Sequence, residues 1–303
     1  MGGEEQMLTS DVVGIAVALW RFPVKSMLGE RLDEAQLSHH GIVGDRAYAL
    51  LDAETAKVVS AKSVKHFPDL FSCRATFVDS PEAGAATPPV RITLPDGTAV
   101  RSDEPDVDAR LSLFFGRDVH LGSSAPEDFT IDQYHPDVEM LDPAGHRDTL
   151  VEQKLGSAFF AQAGLPSPVP VGSFLDLFPV SVLTTSTLDQ LHDVRPESRF
   201  DERRFRMNVI VSTPQRGFVE HDWVGRGLEL GDGVRLRVTM PDPRCVMTTL
   251  AQDDLPQDME ILRTLSRHNR VPVGGAGKFP CAGVYAVVES PGMLRTGESV
   301  VLR

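Results

Sequence analysis

Cys245 stands in the run Pro241-Asp242-Pro243-Arg244-Cys245-Val246-Met247-Thr248-Thr249. An apolar, β-branched stretch and two prolines precede it, and prolines preset the backbone to extended or turn geometry. The cysteine is therefore expected at a corner where a strand gives way to a loop. Arg244 beside it favours the thiolate, the form that attacks electrophiles and ligates metals. A cysteine is more often a small buried hydrophobe, and spacing alone leaves that reading ahead. Cys73 and Cys281 lie in apolar, strand-like runs, where the buried role is expected. Three cysteines with no C-x-x-C pair argue against a disulfide framework and against four-cysteine zinc or iron–sulfur sites. They fit a reducing compartment.

Three further runs carry groups suited to an anion. In Arg21-Phe22-Pro23-Val24-Lys25-Ser26 a point charge and a hydroxyl follow a strand and a proline. In Gly41-Ile42-Val43-Gly44-Asp45-Arg46 the glycines allow a tight turn from which Arg46 emerges. Arg206-Met207-Asn208 leads into another strand, with a planar fork for phosphate and an amide able to pair with a ring edge. Each of these charges, taken singly, is more commonly a solvated loop residue. His39 and His40 are adjacent, so on a strand they would face opposite ways and could not chelate one metal. Gly274-Gly275-Ala276-Gly277-Lys278 lacks the length and the Ser/Thr of a P-loop, and is expected to be a flexible loop near the mouth of a site.

These residues sit in a chain of 303 with a formal net charge of -13, 41% hydrophobic and 24% charged. That is an ordinary globular composition, and on length alone about two domains of roughly 100–200 residues. An acidic chain binds nucleic acid and anionic membrane poorly. Neither is expected as a partner, and an anionic ligand needs a local basic pocket. Met1 to Ser10 is acidic and polar, without the basic start and apolar run of a signal peptide. The longest apolar stretches, such as Val12 to Trp20, are too short to span a bilayer. A cytoplasmic location is expected.

The elements that must hold these groups are mostly strands. Val12 to Phe22, Arg46 to Asp52, Lys57 to Ser60, Arg74 to Val78, Val90 to Leu94 and Thr98 to Arg101 follow at short intervals. Pro95-Asp96-Gly97 is a hairpin turn between the last two. Val107 to Phe115 has the spacing of a short helix. Residues 121–177 are rich in Asp, Pro, Gly and Ser and predict a long irregular connection, with a little helix near Leu155 to Gln162. Order resumes with a strand at Phe178 to Thr184 and a helix opening at Ser186 behind a Thr/Ser-rich entry. Strands are then expected at Asn208 to Val211, Gly227 to Leu230, Val234 to Met240, Gly283 to Val288 and Ser299 to Leu302, with a helix over Glu260 to His268. The expected class is mainly β with some helix (α+β). The organisation is a β-barrel-like domain over 10–120, the connection over 121–177, and a second β-barrel domain over 178–303.

Taken together the runs resemble the MOSC family (molybdenum cofactor sulfurase C-terminal domain), in the branch of the mitochondrial amidoxime-reducing components and their bacterial relatives. The resemblance spans nearly the whole chain. Phe22-Pro23-Val24-Lys25-Ser26 and Gly44-Asp45-Arg46 match the family's N-terminal β-barrel domain. Phe205-Arg206-Met207-Asn208-Val209, Trp223, Arg244-Cys245-Val246-Met247-Thr248-Thr249 and Gly283-Val284-Tyr285 follow in order in the MOSC domain. The resemblance implies that Cys245 is the protein ligand to molybdenum. It implies that Lys25, Ser26, Arg46, Arg206, Asn208 and Arg244 hold the molybdenum cofactor. Thr185 and Ser186 join them as a hydroxyl-rich helix start, a physically reasonable place for an anion. The implied activity is that of a molybdenum-dependent oxidoreductase acting on small N-hydroxylated compounds. Electrons would come from an external donor, a flavin or iron–sulfur protein, since three cysteines are too few for a cluster here. Two alternatives stand beside it: a sulfur carrier with a persulfide on Cys245, and a non-catalytic cofactor carrier. The sequence departs from the family pattern at Pro243 and over Leu250 to Pro256, which bears on substrate range.

Overall fold

The structure is a computed structural model that describes residues 11–303; the polar stretch read at Met1 to Ser10 lies outside the described residues. Its centre is a closed ring of seven strands. Asp11–Arg21 pairs antiparallel with Val209–Ser212 on one side and Ser299–Leu302 on the other. Ser299–Leu302 continues to Gly227–Leu230, then Val234–Pro243, then Lys278–Ser290, all antiparallel. Val180–Thr184 closes the ring, antiparallel to Lys278–Ser290 and parallel to Val209–Ser212. Closure leaves none of the seven with an unpaired edge.

Alternation decides which side chains fill the ring. Along Val234–Pro243, Val234, Leu236 and Val238 are buried while Arg235 and Arg237 are exposed, the period of two that a half-buried strand demands. Their partners inside include Val182, Val211, Leu230, Val284, Val300 and Trp223. Asp11–Arg21 thus belongs to the same ring as the last strands, so the first and last described strands share one core. Gly283 shows how tightly the ring is packed. Its φ is +79°, and a Cβ there would lie 2.3 Å from Met207 Cε and 2.7 Å from the Val182 carbonyl oxygen, so only glycine fits.

A second core lies beside the ring. Arg74–Phe77, Val90–Thr93 and Ala99–Arg101 form a three-stranded antiparallel sheet. Ala49–Asp52 pairs with Val119–Gly122. The helix Val107–Phe115 packs Leu111 into the core of Leu50, Phe71, Ile92 and Val119. The class is the expected one, mainly β with four α-helices among the described residues. The helices Val107–Phe115 and Glu260–His268 fall where their spacing placed them.

Two local expectations fail. The 121–177 segment is not irregular throughout: Thr130–His135 and Thr149–Lys154 form a six-pair antiparallel hairpin. Neither strand buries a clean alternating face, so the period that would have announced them is missing. Residues 57–60, expected as a strand, contribute only an isolated bridge between Val58 and Leu51.

Candidate functional site

A cleft opens between the ring and the second core, enclosing about 770 Å³ counted out to its mouth. Seven residues singled out from the sequence line it: Lys25, Ser26, Arg46, Arg206, Asn208, Arg244 and Cys245. They come from four separate stretches of chain, which pairing brings together. Trp20 N–H donates to the Asn208 carbonyl, Arg46 N–H to that of Phe22, and Lys25 N–H to that of Tyr48.

Cys245 stands at the predicted corner. It follows the Val234–Pro243 strand and precedes a short 3-10 turn, Val246–Thr249, and it is half-buried where Cys73 and Cys281 are fully buried. Its carbonyl accepts from the Thr248 amide at 3.2 Å and the Thr248 hydroxyl at 3.0 Å. Arg204, buried beneath, donates to the carbonyls of Arg199, Thr248, Leu250 and Pro256 and so clamps the segment that follows the cysteine. Burial pushes the Cys73 and Cys281 thiols up to about 12, which keeps both inert.

The cleft is strongly basic. Lys25, Arg46, Lys62, Arg204, Arg206 and Arg244 line it, against Asp176 and Asp242. Adding Asp45 in the wall behind, six cations face three acids. Lys25 and Lys62 share Asp176, Lys62 at 2.7 Å. Burial lowers Lys25 to about 8, opposed by the Asp176 charge. Burial also penalises Lys62, but Asp176, Cys245 and Asp242 outweigh it and its pKa rises. Asp176 is penalised by burial too, yet the two lysines hold its carboxyl well below the usual range. Among the described residues Arg206 has no ion-pair partner: it donates to the Met27 carbonyl at 2.7 Å and lies over the Phe22 ring at 4.2 Å. Burial, then the like charge of Arg46, lowers it to about 9. Arg46 also lies against Phe22, at 4.5 Å, and pairs with Asp45.

Deeper in, Arg244 is paired with Asp242 and donates to the Phe205 carbonyl, while its Nε is buried with no hydrogen-bond partner. Burial raises Asp242 to about 6 in spite of Arg244 and of a hydrogen bond from Tyr285. Three residues lining the cleft, Ser26 (φ +64°), Arg46 (φ +50°) and Arg206 (φ +55°), hold left-handed backbone without being glycine. Each costs about 1–2 kcal/mol, and such strain collects where a side chain must be aimed.

Three expectations need correction in geometry. Thr185 and Ser186 do not line the cleft. The Ser186 hydroxyl donates to the Gly217 carbonyl, and the Thr184 and Thr187 hydroxyls at the same helix start donate to the buried Glu220 carboxylate. The anion served by that helix start is a side chain of the protein itself. Asn208 does line the cleft, but its amide is spent: Oδ1 accepts from Ser181 N–H and Oγ, and Nδ2 donates to Trp20 O and Asp45 Oδ2. No amide edge remains for a ring. Residues 274–277 turn between Arg270–Pro272 and Lys278–Ser290 and do not line the cleft.

The sequence reading passed over Ser60, Lys62, Asp176 and Arg204. Ser60 and Lys62 sit in a turn-rich stretch, and Asp176 in the connection where periodicity fails. Arg204, two residues before Arg206, carried the same signal as its neighbour.

A family model described as the MOSC N-terminal beta barrel domain matches residues 13–116, and one described as the MOSC domain matches 171–301. The chain belongs to the MOSC family. Mitochondrial amidoxime reducing component 2 of Bos taurus is 25% identical over 301 residues, covering 95% of this chain and 83% of the relative. Mitochondrial amidoxime-reducing component 1 of Mus musculus is 30% identical over 134 residues, 43% of this chain. In that alignment the chain spans only 38% of the mouse relative, and the same share of its Homo sapiens counterpart. Among solved structures, the YUAD protein from Bacillus subtilis aligns over 97% of both chains at 12% identity, with a TM-score of 0.45. Both MOSC matches contribute to the cleft: Lys25, Ser26 and Arg46 from the first, Arg206, Arg244 and Cys245 from the second. Among the described residues no helix is long and apolar enough to cross a membrane.

Proposed function

We propose that this cleft binds the molybdenum cofactor through the thiolate of Cys245, in an oxidoreductase that reduces small N-hydroxylated compounds with electrons from a separate redox protein. The observation that carries the reading is the charge of the cleft. In a chain of net charge -13, six cations gather around one half-buried thiol. Such a site suits a soft metal bound to an anionic, phosphate-bearing group. The donor set fits that group: a thiolate for the metal, an unpaired Arg206 charge, and a buried Arg244 Nε with nothing to donate to. The relatives' names supply the substrate class.

Arg46 and Arg206 would hold the phosphate, with the Ser26 and Ser60 hydroxyls beside them. Arg204 fixes the loop after Cys245 and so fixes where the thiolate points. Lys25 and Lys62, bridged by Asp176, leave one net positive charge in the cleft. When bound, the cofactor supplies two-electron redox chemistry. Cleaving an N–O bond to N–H and water takes up two electrons and two protons. Burial pushes the Asp242 carboxyl up to about 6, and it would be the acid beside the cleft placed to supply one of those protons.

The test is elemental analysis of molybdenum in protein made in a cofactor-competent host, for the native chain and Cys245→Ser. Near-stoichiometric metal in the native chain and a sharp fall in the variant are expected. No molybdenum in a folded native chain would sink the reading.

A further inference from the structure

The hairpin of Thr130–His135 and Thr149–Lys154 carries, at one end and in its connecting segment, three side chains that converge away from the Cys245 cleft. His135 Nδ1 lies 3.0 Å from Asp142 Oδ2, and His146 Nδ1 lies 3.4 Å from Asp142 Oδ1. One donor atom from each residue falls within 4.8 Å of the other two. His135 is 4% exposed, and the Asp142 side chain 9%. Yet among the described residues His135 Nδ1 and Asp142 Oδ2 have no hydrogen-bond partner: they face each other at ion-pair distance without hydrogen-bond geometry. Buried polar atoms without a well-aligned partner destabilise a fold unless something else satisfies them.

We propose that His135, Asp142 and His146 form a binding site for a divalent transition ion of the zinc type, independent of the Cys245 cleft. Two imidazoles and a carboxylate are a donor set that zinc accepts, with a fourth position left for water. Zinc bonds of about 2.0–2.1 Å in a tetrahedron set neighbouring donors roughly 3.3–3.4 Å apart; His146 Nδ1 lies 3.4 Å from Asp142 Oδ1 and His135 Nδ1 3.0 Å from the other carboxylate oxygen, so the carboxylate would face the ion with both oxygens. The His135 and His146 rings are 5.1 Å apart at their centroids. His146, whose side chain is 38% exposed, is free to close the remaining gap. Further out, the Gln133 amide nitrogen lies 3.3 Å from His135 Nε2. Turning that amide over by about 180° would bring its oxygen there to accept the Nε2 proton and leave the Nδ1 lone pair for the ion; such outer partners fix the tautomer of metal-bound histidines.

The ion would act as a staple. Val138 and Leu141 of the connecting segment pack on Leu262, and the Ser266 hydroxyl donates to the Glu139 carbonyl at 2.6 Å, joining the segment to the helix Glu260–His268. On the other side Tyr134 N–H donates to the Lys62 carbonyl at 2.9 Å. The ion would thus tie that helix to the stretch carrying one of the basic residues of the cleft.

The experiment is a calorimetric titration of zinc into chelator-treated, dialysed full-length chain carrying Cys245→Ser, which removes the thiol of the cleft as a competing ligand. One zinc per chain is expected. Adding His146→Ala should weaken binding at least tenfold, and since that side chain is partly exposed the fold should hold. Limited proteolysis of the 136–148 segment gives a second readout, slowed by zinc in the first protein and not in the second. No binding at micromolar zinc, or equal affinity and equal protection with and without His146, would overturn the proposal. Should His146→Ala fail to fold, His146→Gln serves in its place under the same two criteria.

Discussion

The Asn208 side chain donates from Nδ2 to Asp45 Oδ2 at 2.8 Å, across 163 residues of sequence, and that bond sets the positions of the arginines in the cleft. Asp45 accepts the Phe22 amide on its other oxygen and pairs with Arg46, while Phe22 lies against both Arg46 and Arg206. Asn208 therefore acts through Asp45 as a positioning residue. Asn208→Ala strands the Ser181 hydroxyl and one bond of a buried carboxylate. A loss of about 1–3 kcal/mol is expected, read as a lower urea midpoint, together with reduced molybdenum content although the amide has nothing left to offer a ligand. Unchanged metal in a destabilised variant would confine Asn208 to the fold.

Arg46 separates charge from backbone strain. Its φ is +50°, so Arg46→Ala removes the charge and keeps the strain, while Arg46→Gly removes both. Both variants should lose most of their molybdenum. The glycine variant should be the more stable by about 1 kcal/mol, the usual cost of left-handed backbone in a residue with a Cβ. Thermal unfolding of the two checks it; equal melting would mean that the surroundings had absorbed the strain.

Arg204 tests whether holding the loop matters. It is 1% exposed and donates to four carbonyls. Arg204→Met leaves those acceptors without their donor, and a loss on the order of 3 kcal/mol is expected, as when one side of a buried hydrogen-bonded charge is deleted. The loop after Cys245 should loosen with it. Alkylation of Cys245 should then speed up while Cys73 and Cys281 stay protected. A uniform rise at all three would indicate global unfolding.

What was legible in the sequence follows from how each feature is encoded. Glu260–His268 buries Ile261, Leu262 and Leu265 on one face, a period any single helix must show, and its bounds were read correctly. Val234–Pro243 was legible for the same reason, its buried face being one-sided, whereas Val180–Thr184 and Val209–Ser212, buried along nearly their whole length, were legible as short β-branched apolar runs. The 130–154 hairpin was not, because it buries no continuous face. In the cleft, Cys245, Lys25, Arg46 and Arg206 were marked by neighbours that shape the backbone: prolines, glycines, a strand entry. Lys62 and Asp176 have no such neighbours, and only three-dimensional closure brings them to the cleft. Thr185 and Ser186 mark a helix start, but there the Thr184 and Thr187 hydroxyls are turned to the Glu220 carboxylate, a partner 33 residues or more away in sequence that no local pattern announces.

The three thiols should separate cleanly in labelling. Cys73 and Cys281 are buried with pKa values pushed to about 12, while Cys245 is half-buried at the cleft. An aromatic disulfide reagent at neutral pH should therefore titrate one thiol in the folded, cofactor-free chain and three in denaturant. Mass mapping should place the native label on Cys245. A native label on Cys73 would mean that the second core opens readily.

Lys25 gives two pH effects of opposite sign. Burial lowers its pKa from the ordinary 10.5 to about 8. Between those values the unfolded chain binds more protons than the folded one, so the stability of the ligand-free protein rises with pH through that window. The gain is at most roughly 3 kcal/mol, from about 1.4 kcal/mol per pKa unit. Lys25→Met lacks this group and should lack the rise. Affinity for an anion runs the other way, because the cleft loses a positive charge as pH climbs through about 8. Unfolding free energies and the binding of inorganic phosphate, both followed from pH about 7 to 10, measure the two effects on the same samples. A stability curve with the same slope in native and variant proteins would show that Lys25 titrates as it would in water, and that the Asp176 bridge compensates fully for its burial.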